Sequence, residues 1–289
     1  MMNGVNQISI MGMGLMGASL AAALKDSAYS GTVIGWARRD EVCEEAKQSG
    51  WFDSVTADAA AAVAEADLVV FCLPVQAIGE MVLELLSDFK PGAVVTDVGS
   101  TKLALVEEVT MRLAEGSVLF VGSHPICGSE KSGFEAADTH LYRDRLTVVC
   151  PGASETATSR ISALWAYVGS EVLEMGAREH DELLASTSHL PHMVAALVVR
   201  AVAGEPDVID FCGTGFRDTT RVASGSSAVW ADIMESNREV LRERLVRFQD
   251  ELSGLLTLLD SGSHAEMETW LREAANQRNE MVENSRYID

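Results

Sequence analysis

In the first half of the chain apolar residues fall in short unbroken runs; in the second half they recur every three or four positions. Gln7-Ile-Ser-Ile-Met11, Thr32-Val-Ile-Gly-Trp36, Asp67-Leu-Val-Val-Phe-Cys-Leu73, Ala93-Val-Val-Thr-Asp97 and Val118-Leu-Phe-Val121 are strand-like, the third closed by Pro74. Between them lie segments of helical character: Ala18 to Leu24, an acidic stretch from about Asp40, and Lys102 to Ala114. Runs of this kind alternating with helices predict a parallel sheet covered on both faces. Strands are also expected at Leu146-Thr-Val-Val-Cys150 and Glu171-Val-Leu-Glu174, around a helix near Glu155 to Val168. Past about residue 176 the strand signal stops, and His180 to Ala203, Ser227 to Leu259 and His264 to Glu283 read as helices. The pattern divides the chain into an α/β domain, residues 1–175, and an all-helical domain, residues 176–289. So many apolar helix positions in so few elements predict that the helical domain pairs with a second copy, as a homodimer.

The first strand breaks into Gly12-x-Gly14-x-x-Gly17 and leads into Ala18-Ser-Leu-Ala-Ala-Ala-Leu24. Strand, tight turn and helix in that order form a dinucleotide-binding unit. Gly12 makes the turn, Gly14 lets the backbone approach a pyrophosphate, and Gly17 lets the helix lie close on the strand. The phosphates would sit at the positive end of the helix, on free N–H groups in the segment of Leu15 and Met16. A purely structural turn is the alternative. The predicted fold class is an α/β Rossmann-type N-terminal domain followed by an all-helical dimerisation domain.

Composition narrows the function. With 22 basic and 43 acidic residues the net charge is −21, which argues against binding nucleic acid or an anionic membrane surface. An anionic substrate must then be met by a few placed cations. Cys43, Cys72, Cys127, Cys150 and Cys212 are scattered, without a Cys-x-x-Cys pair, so neither a disulfide framework nor a zinc site is expected. No secretory leader pattern and no apolar run of about 18 residues is present, and a cytoplasmic protein is expected.

In open parallel sheets ligands bind beyond the carboxyl ends of the strands. Thr96-Asp97-Val-Gly-Ser100-Thr-Lys102 lies at such an end, where Ser100 either serves chemistry or, with Thr101, only caps the next helix. Gly122-Ser-His124-Pro-Ile-Cys-Gly128-Ser-Glu130 follows the next strand as a Gly- and Pro-shaped loop, and His124 there is suited to exchange a proton near neutral pH. Ser188-His189-Leu-Pro-His192 opens a long apolar helix, interrupted by Pro191. Without a carboxylate or cysteine at ligand spacing, its two histidines do not make a metal site. Gly213-Thr-Gly-Phe216-Arg-Asp218-Thr-Thr-Arg221 reads as a loop with two arginines that either clamp a carboxylate or make ordinary surface ion pairs.

Taken in order, Gly-Met-Gly-Leu-Met-Gly-Ala-Ser, Asp97-Val-Gly-Ser-Thr-Lys102, His124-Pro-Ile-Cys-Gly-Ser-Glu130, Ser188-His-Leu-Pro-His192 and Gly215-Phe-Arg-Asp-Thr-Thr-Arg221 resemble the prephenate/arogenate (cyclohexadienyl) dehydrogenase family of tyrosine biosynthesis over nearly the whole chain. The resemblance implies oxidative decarboxylation of a 4-hydroxycyclohexadiene: hydride leaves C4 for a nicotinamide, CO2 leaves C1, and a phenol forms. It implies that His124 accepts the proton of the C4 hydroxyl, that Ser100 shares that hydroxyl, and that Arg221 binds a substrate carboxylate with Asp218 fixing the segment. His192 would help at the substrate and Glu130 would sit at the pocket mouth. Trp230 matches a tryptophan that reaches the partner subunit's site, and on the sequence alone is equally a core residue.

Two departures refine this. An NAD-selective site ends its second strand with Asp or Glu, whereas this strand ends Trp36-Ala37-Arg38-Arg39, with Asp40 reading as the cap of the following helix. Arg38 and Arg39 suit a 2′-phosphate, so NADP is expected ahead of NAD. His192 and Glu130 are both present, which tilts the expectation toward prephenate or dual use. The competing readings are a β-hydroxyacid dehydrogenase, against which stands the absence of any lysine after Lys131, and a protein that senses NADP without chemistry.

Overall fold

The computed structural model describes residues 2, 4–113, 117–127, 131–205 and 208–285. Strand β1 (Gln7–Met11) runs between β2 (Thr32–Trp36) and β4 (Leu68–Phe71), parallel to both. With β3 (Ser54–Thr56) outside β2, and β5 (Val94–Asp97) and β6 (Leu119–Phe120) outside β4, the parallel order is β3-β2-β1-β4-β5-β6. Helices α1 (Leu15–Asp26), α2 (Asp40–Ser49), α3 (Ala59–Val63), α4 (Val75–Glu84) and α5 (Leu103–Leu113) make the crossovers. Successive strand residues serve opposite faces, both of them covered, which is why the runs are apolar at most positions and do not alternate. Ile8, Ile10, Leu68, Val70 and Val94 join Leu20, Leu24 and Trp165 in one core. Met11, Val69, Phe71 and Val95 join Ile78, Val82, Leu105 and Val109 in the other.

The strands expected at 146–150 and 171–174 form, but not in this sheet. β7 (Gly122–Pro125) pairs antiparallel with β8 (Leu146–Cys150), and β8 pairs parallel with β9 (Glu171–Glu174), with α6 (Glu155–Tyr167) connecting the last two. His124 therefore lies on a strand and not in the loop expected for it.

Beyond β9, α7 (Ala177–Leu184) continues through a wide turn at Ala185–His189 into α8 (Leu190–Val202). In that turn the Leu190 N–H reaches the Ala185 carbonyl, five residues back. Pro191, which lacks an N–H and crowds the carbonyl four residues earlier, is accommodated by this π-type widening. The helix expected from 180 to 203 thus runs through Pro191, and the Ser188–His192 motif lies within it instead of opening it.

Gly213–Arg221, read as a loop, is α9 (Thr214–Thr220) followed by a 3-10 turn, Arg221–Ser224. The long helix expected from 227 to 259 breaks at Asn237 into α10 (Ser227–Ser236) and α11 (Arg238–Ser261), and α12 (His264–Glu283) follows. Two compact units result, Met1–Arg238 and Glu239–Asp289. The division proposed at residue 175 falls inside the first unit, between β9 and α7. The second unit consists of the helices α11 and α12, along which Leu252, Leu256, Leu259, Leu271 and Met281 are exposed. Among the described residues no helix is long and apolar enough to cross a membrane.

Candidate active site

The glycine turn has the geometry of a phosphate cradle. Gly12 has φ +108°, and a Cβ there would lie 2.5 Å from the Cys72 carbonyl oxygen. A Cβ on Gly17 would overlap the Gly12 carbonyl oxygen and come within 2.9 Å of Ile10 Cγ2, so α1 can lie this close to β1 only with glycine. Gly14 differs: a Cβ there meets nothing within 4 Å. It is the N-cap of α1 with no side-chain cap, and the first α-helical bond of the turn is Ala18 N–H to the Gly14 carbonyl at 2.9 Å. The N–H groups of half-buried Leu15 and Met16 in that first turn therefore have no intrahelical acceptor. The Tyr142 hydroxyl, donating to the Met16 carbonyl at 2.6 Å, steadies the turn from behind. Open space over a glycine at the positive end of a helix fits a dinucleotide pyrophosphate.

At the end of β2, Ala37 is buried while Arg38 and Arg39 are exposed, and neither guanidinium has a hydrogen bond or ion pair among the described residues. Asp40 is not the cap of α2. The cap position belongs to Arg39, and Asp40 begins the helix, where its charge favours the positive end.

A dense polar cluster closes the β5 end. Fully buried Lys102 donates to Asp97 Oδ2, which also accepts Gly99 N–H at 2.8 Å, while Asp97 Oδ1 accepts Ser123 N–H at 3.1 Å. The Ser123 hydroxyl donates to the Asp97 carbonyl at 2.6 Å and accepts from Trp165 Nε1 at 2.9 Å. Neither Ser100 nor Thr101 caps α5. Asp181, from α7, takes that part: Oδ1 accepts Lys102 N–H at 2.8 Å and Oδ2 accepts Leu103 N–H at 2.9 Å. Thr101 instead meets the Ser236 hydroxyl at 2.8 Å. Ser100, partly exposed, keeps its hydroxyl without a partner among the described residues.

His124 is buried on β7, its Nδ1 2.9 Å from His180 Nε2, and His180 Nδ1 lies 2.7 Å from Asp181 Oδ1. Burial first, then the neighbouring His180, Lys102 and His189, push the His124 pKa well below the ordinary imidazole value. It is thus a neutral base at physiological pH. His180 and Asp181 were not singled out from the sequence, where Glu179-His-Asp-Glu182 resembles a solvated helix face.

The helical segments contribute a second group. Buried Asn237 donates to the Asp181 carbonyl at 2.9 Å and lies 3.3 Å from His189 Nδ1. Trp230 stands edge-on to His189 at 6.1 Å and stacks on His192 of the same chain at 3.4 Å and 16°. Burial lowers the His192 pKa, and its Nδ1 is a buried atom with no partner among the described residues. Gly225, ending the turn that starts at Arg221, leaves no room for a Cβ beside Trp230 Nε1, at 2.7 Å. Arg221 is exposed and without an ion pair among the described residues. Asp218 does not brace it: Asp218 pairs with Arg217 at 3.1 Å on the open surface. Glu130 lies outside the described residues.

A phosphate cradle and a buried neutral imidazole in one compact unit fit an oxidoreductase of the nicotinamide class. More narrowly, the chain belongs to the prephenate dehydrogenase family: the family model for its nucleotide-binding domain matches residues 20–174 and that for its dimerization domain matches residues 176–273. Cyclohexadienyl dehydrogenase of Zymomonas mobilis is 33% identical over 261 residues, covering 88% of this chain and 88% of its own. Prephenate dehydrogenase of Bacillus subtilis is 31% identical over 278 residues, 94% of this chain and 75% of its own. Among solved structures, prephenate dehydrogenase from A. aeolicus in complex with hydroxyphenyl propionate and NAD+ superposes with a TM-score of 0.89 at 30% identity, covering 96% and 99% of the two chains. Arogenate dehydrogenase from Synechocystis gives 0.82 at 28% identity, covering 96% and 100%. Two 3-hydroxyisobutyrate dehydrogenases, at 17% identity, share the fold only.

Proposed function

We propose that this chain carries out NAD(P)-dependent oxidative decarboxylation of prephenate, arogenate or both, giving 4-hydroxyphenylpyruvate or tyrosine. The observation that carries this reading is the buried, neutral His124 at the carboxyl end of a sheet whose first turn is a dinucleotide cradle. His124 Nε2 takes the proton of the C4 hydroxyl, and the unpartnered Ser100 hydroxyl holds the same oxygen in line. The bound nicotinamide supplies the acceptor for the C4 hydride. Loss of CO2 from C1 leaves its bonding pair in the ring, which becomes an aromatic phenolate, and His124 returns its proton to that oxygen to give the phenol, so the protein need only orient and polarise. Arg221, a cation without an ion pair among the described residues, is suited to a substrate carboxylate. His192, held flat on Trp230 with Nδ1 unpartnered among the described residues, is suited to a polar contact with the substrate.

NADP is the favoured cofactor, because β2 ends without an acid and with Arg38 and Arg39 exposed and unpaired among the described residues. Prephenate or dual use is favoured over strict arogenate use on the presence of His192 and Glu130. A homodimer built on the helical half accounts for the exposure of Leu197, Ile209, Phe211 and Val222.

The test is a steady-state assay crossing prephenate and arogenate with NAD and NADP, for the wild type and for His124→Asn. Reduced cofactor is expected in at least one combination. The variant should bind cofactor normally and lose about 10²–10⁴ in turnover. Silence in all four combinations, or undiminished turnover in His124→Asn, overturns the proposal.

A further inference from the structure

The structure assigns His180 and Asp181 as a positioning pair that fixes the tautomer of His124 and so creates its base. This rests on the reading of His124 as the proton acceptor. A carboxylate has no proton to give, so at 2.7 Å it is His180 Nδ1 that carries the hydrogen and donates to Asp181 Oδ1. A His180 ring carrying its single proton at Nδ1 has only a lone pair at Nε2. That lone pair lies 2.9 Å from His124 Nδ1, which must donate to it. With its proton held at Nδ1, His124 presents an unprotonated Nε2 on the opposite side of the ring, the atom the reaction uses.

Asp181 is itself pinned. Its two oxygens accept the Lys102 and Leu103 N–H groups at the start of α5, at 2.8 and 2.9 Å, and its carbonyl accepts from Asn237 at 2.9 Å. A residue held at both carboxylate oxygens and at its backbone carbonyl cannot turn its side chain away from His180. When His124 takes a proton at Nε2, the imidazolium stays bonded through Nδ1 to His180, and the Asp181 carboxylate balances the charge at the far end. The other charged and titratable groups facing this pair are Lys102 with its partner Asp97, from the β5 end, and His189 from the wide turn.

The logic parallels the acid–imidazole–nucleophile arrangement of hydrolases, where the acid sets the tautomer and a wrong tautomer costs about 10⁴ in rate. Here a second imidazole stands between acid and base. Its job is relay of orientation, since His180 and Asp181 are both buried behind His124 and not exposed to a substrate.

The experiment combines nitrogen-resolved NMR of the ¹⁵N-histidine-labelled protein with kinetics of two substitutions at His180, both of which leave the Asp181 cap of α5 in place. In the wild type, His180 and His124 should both be protonated at Nδ1 and bare at Nε2. His180→Phe keeps a ring of similar size but offers no acceptor. It should lower kcat by about 10²-fold or more while KM for substrate changes much less, and should move the His124 proton toward Nε2. His180→Gln restores an acceptor oxygen at the reach of Nε2 and should recover most of that loss and the Nδ1 proton. A wild-type His124 protonated at Nε2, or wild-type kcat in folded His180→Phe, overturns the assignment. Equal losses in the Phe and Gln variants also overturn it, by showing a packing role. His124→Asn, run alongside, separates the two claims: turnover surviving there removes the base itself, whereas its loss with normal turnover in His180→Phe removes only the positioning pair.

Discussion

Replacing Gly14 and Gly17 separately by alanine should divide the glycine turn into a binding part and a folding part. At Gly14 the added methyl meets nothing within 4 Å, and φ −84°, ψ −160° is open to any residue. Alanine is a poorer N-cap than glycine by up to about 1 kcal/mol, but it also removes about 0.4–1 kcal/mol of unfolded-chain freedom, so the folded protein without ligand should barely notice. The same methyl occupies the space a pyrophosphate needs over the first N–H groups of α1. Losing one charge-assisted bond of about 1.5–3 kcal/mol weakens cofactor binding by about 10- to 100-fold. At Gly17 the methyl would overlap the Gly12 carbonyl oxygen and press on Ile10 Cγ2 at 2.9 Å, both in the sheet core. Forcing α1 away from β1 should cost about 1–3 kcal/mol. In a unit of this size, Met1–Arg238, that is a fall in Tm of about 2–12 °C, at about 2–4 °C per kcal/mol. Thermal melts of the ligand-free proteins and calorimetric titration with NADP measure the two effects. Wild-type affinity in Gly14→Ala, or a melt lowered as far as that of Gly17→Ala, would refute the reasoning.

Arg38→Ala should raise KM for NADP by about tenfold more than KM for NAD, since a 2′-phosphate contact is worth about 1.4 kcal/mol or more; equal changes would remove the role in cofactor choice. Lys102→Met strands the Asp97 carboxylate in a fully buried site, and urea unfolding should show a loss of about 3–5 kcal/mol, partly regained on adding Asp97→Asn. A loss under about 1 kcal/mol would mean that the carboxylate does not depend on its cation. Burial holds His189 down to about 4, from an ordinary value of 6.5. The unfolded chain then binds a proton that the folded one refuses, so stability is lost as pH falls from 6.5 toward 4. The loss from this residue approaches about 3 kcal/mol. His189→Gln should flatten the acid arm of the stability curve by that amount, and an unchanged arm would contradict the burial argument.

The parallel sheet was legible because the central strands are apolar at most positions and β4 at all of them, and the dinucleotide cradle because three glycines stand at the spacing of a strand, turn and helix. β7 was not legible: Gly122-Ser-His-Pro125 has no apolar face, and its buried polar side chains are satisfied by Asp97, Trp165 and His180, partners far away in sequence. His180 and Asp181 were hidden for a related reason. In an acidic chain a charged helix turn looks solvated, and only the docking of α7 against the start of α5 turns Asp181 inward. Asn237 left a fainter trace, a helix-weak residue inside a long helical run. His124, Ser100 and Arg221 stood out through the order of their motifs, although two of the three sit on different local structure from that expected: His124 on a strand, and Arg221 at the end of a helix.

The wide turn at Ala185–His189 also sets an angular register. A regular α-helix turns by about 100° per residue, and this turn takes up one residue more than a regular helix would. Removing one of Ser186, Thr187 or Ser188 would let α7 and α8 fuse into a regular helix, with α8 rotated by about that angle. His192 would then leave the face of Trp230, and Leu197, now on the outer surface, would swing with it. Point substitutions along α8 can change the pocket or the outer surface one at a time. A single-residue insertion or deletion in the turn changes both together, so lineages of this family that alter chain length here should shift substrate pocket and subunit contact in the same step.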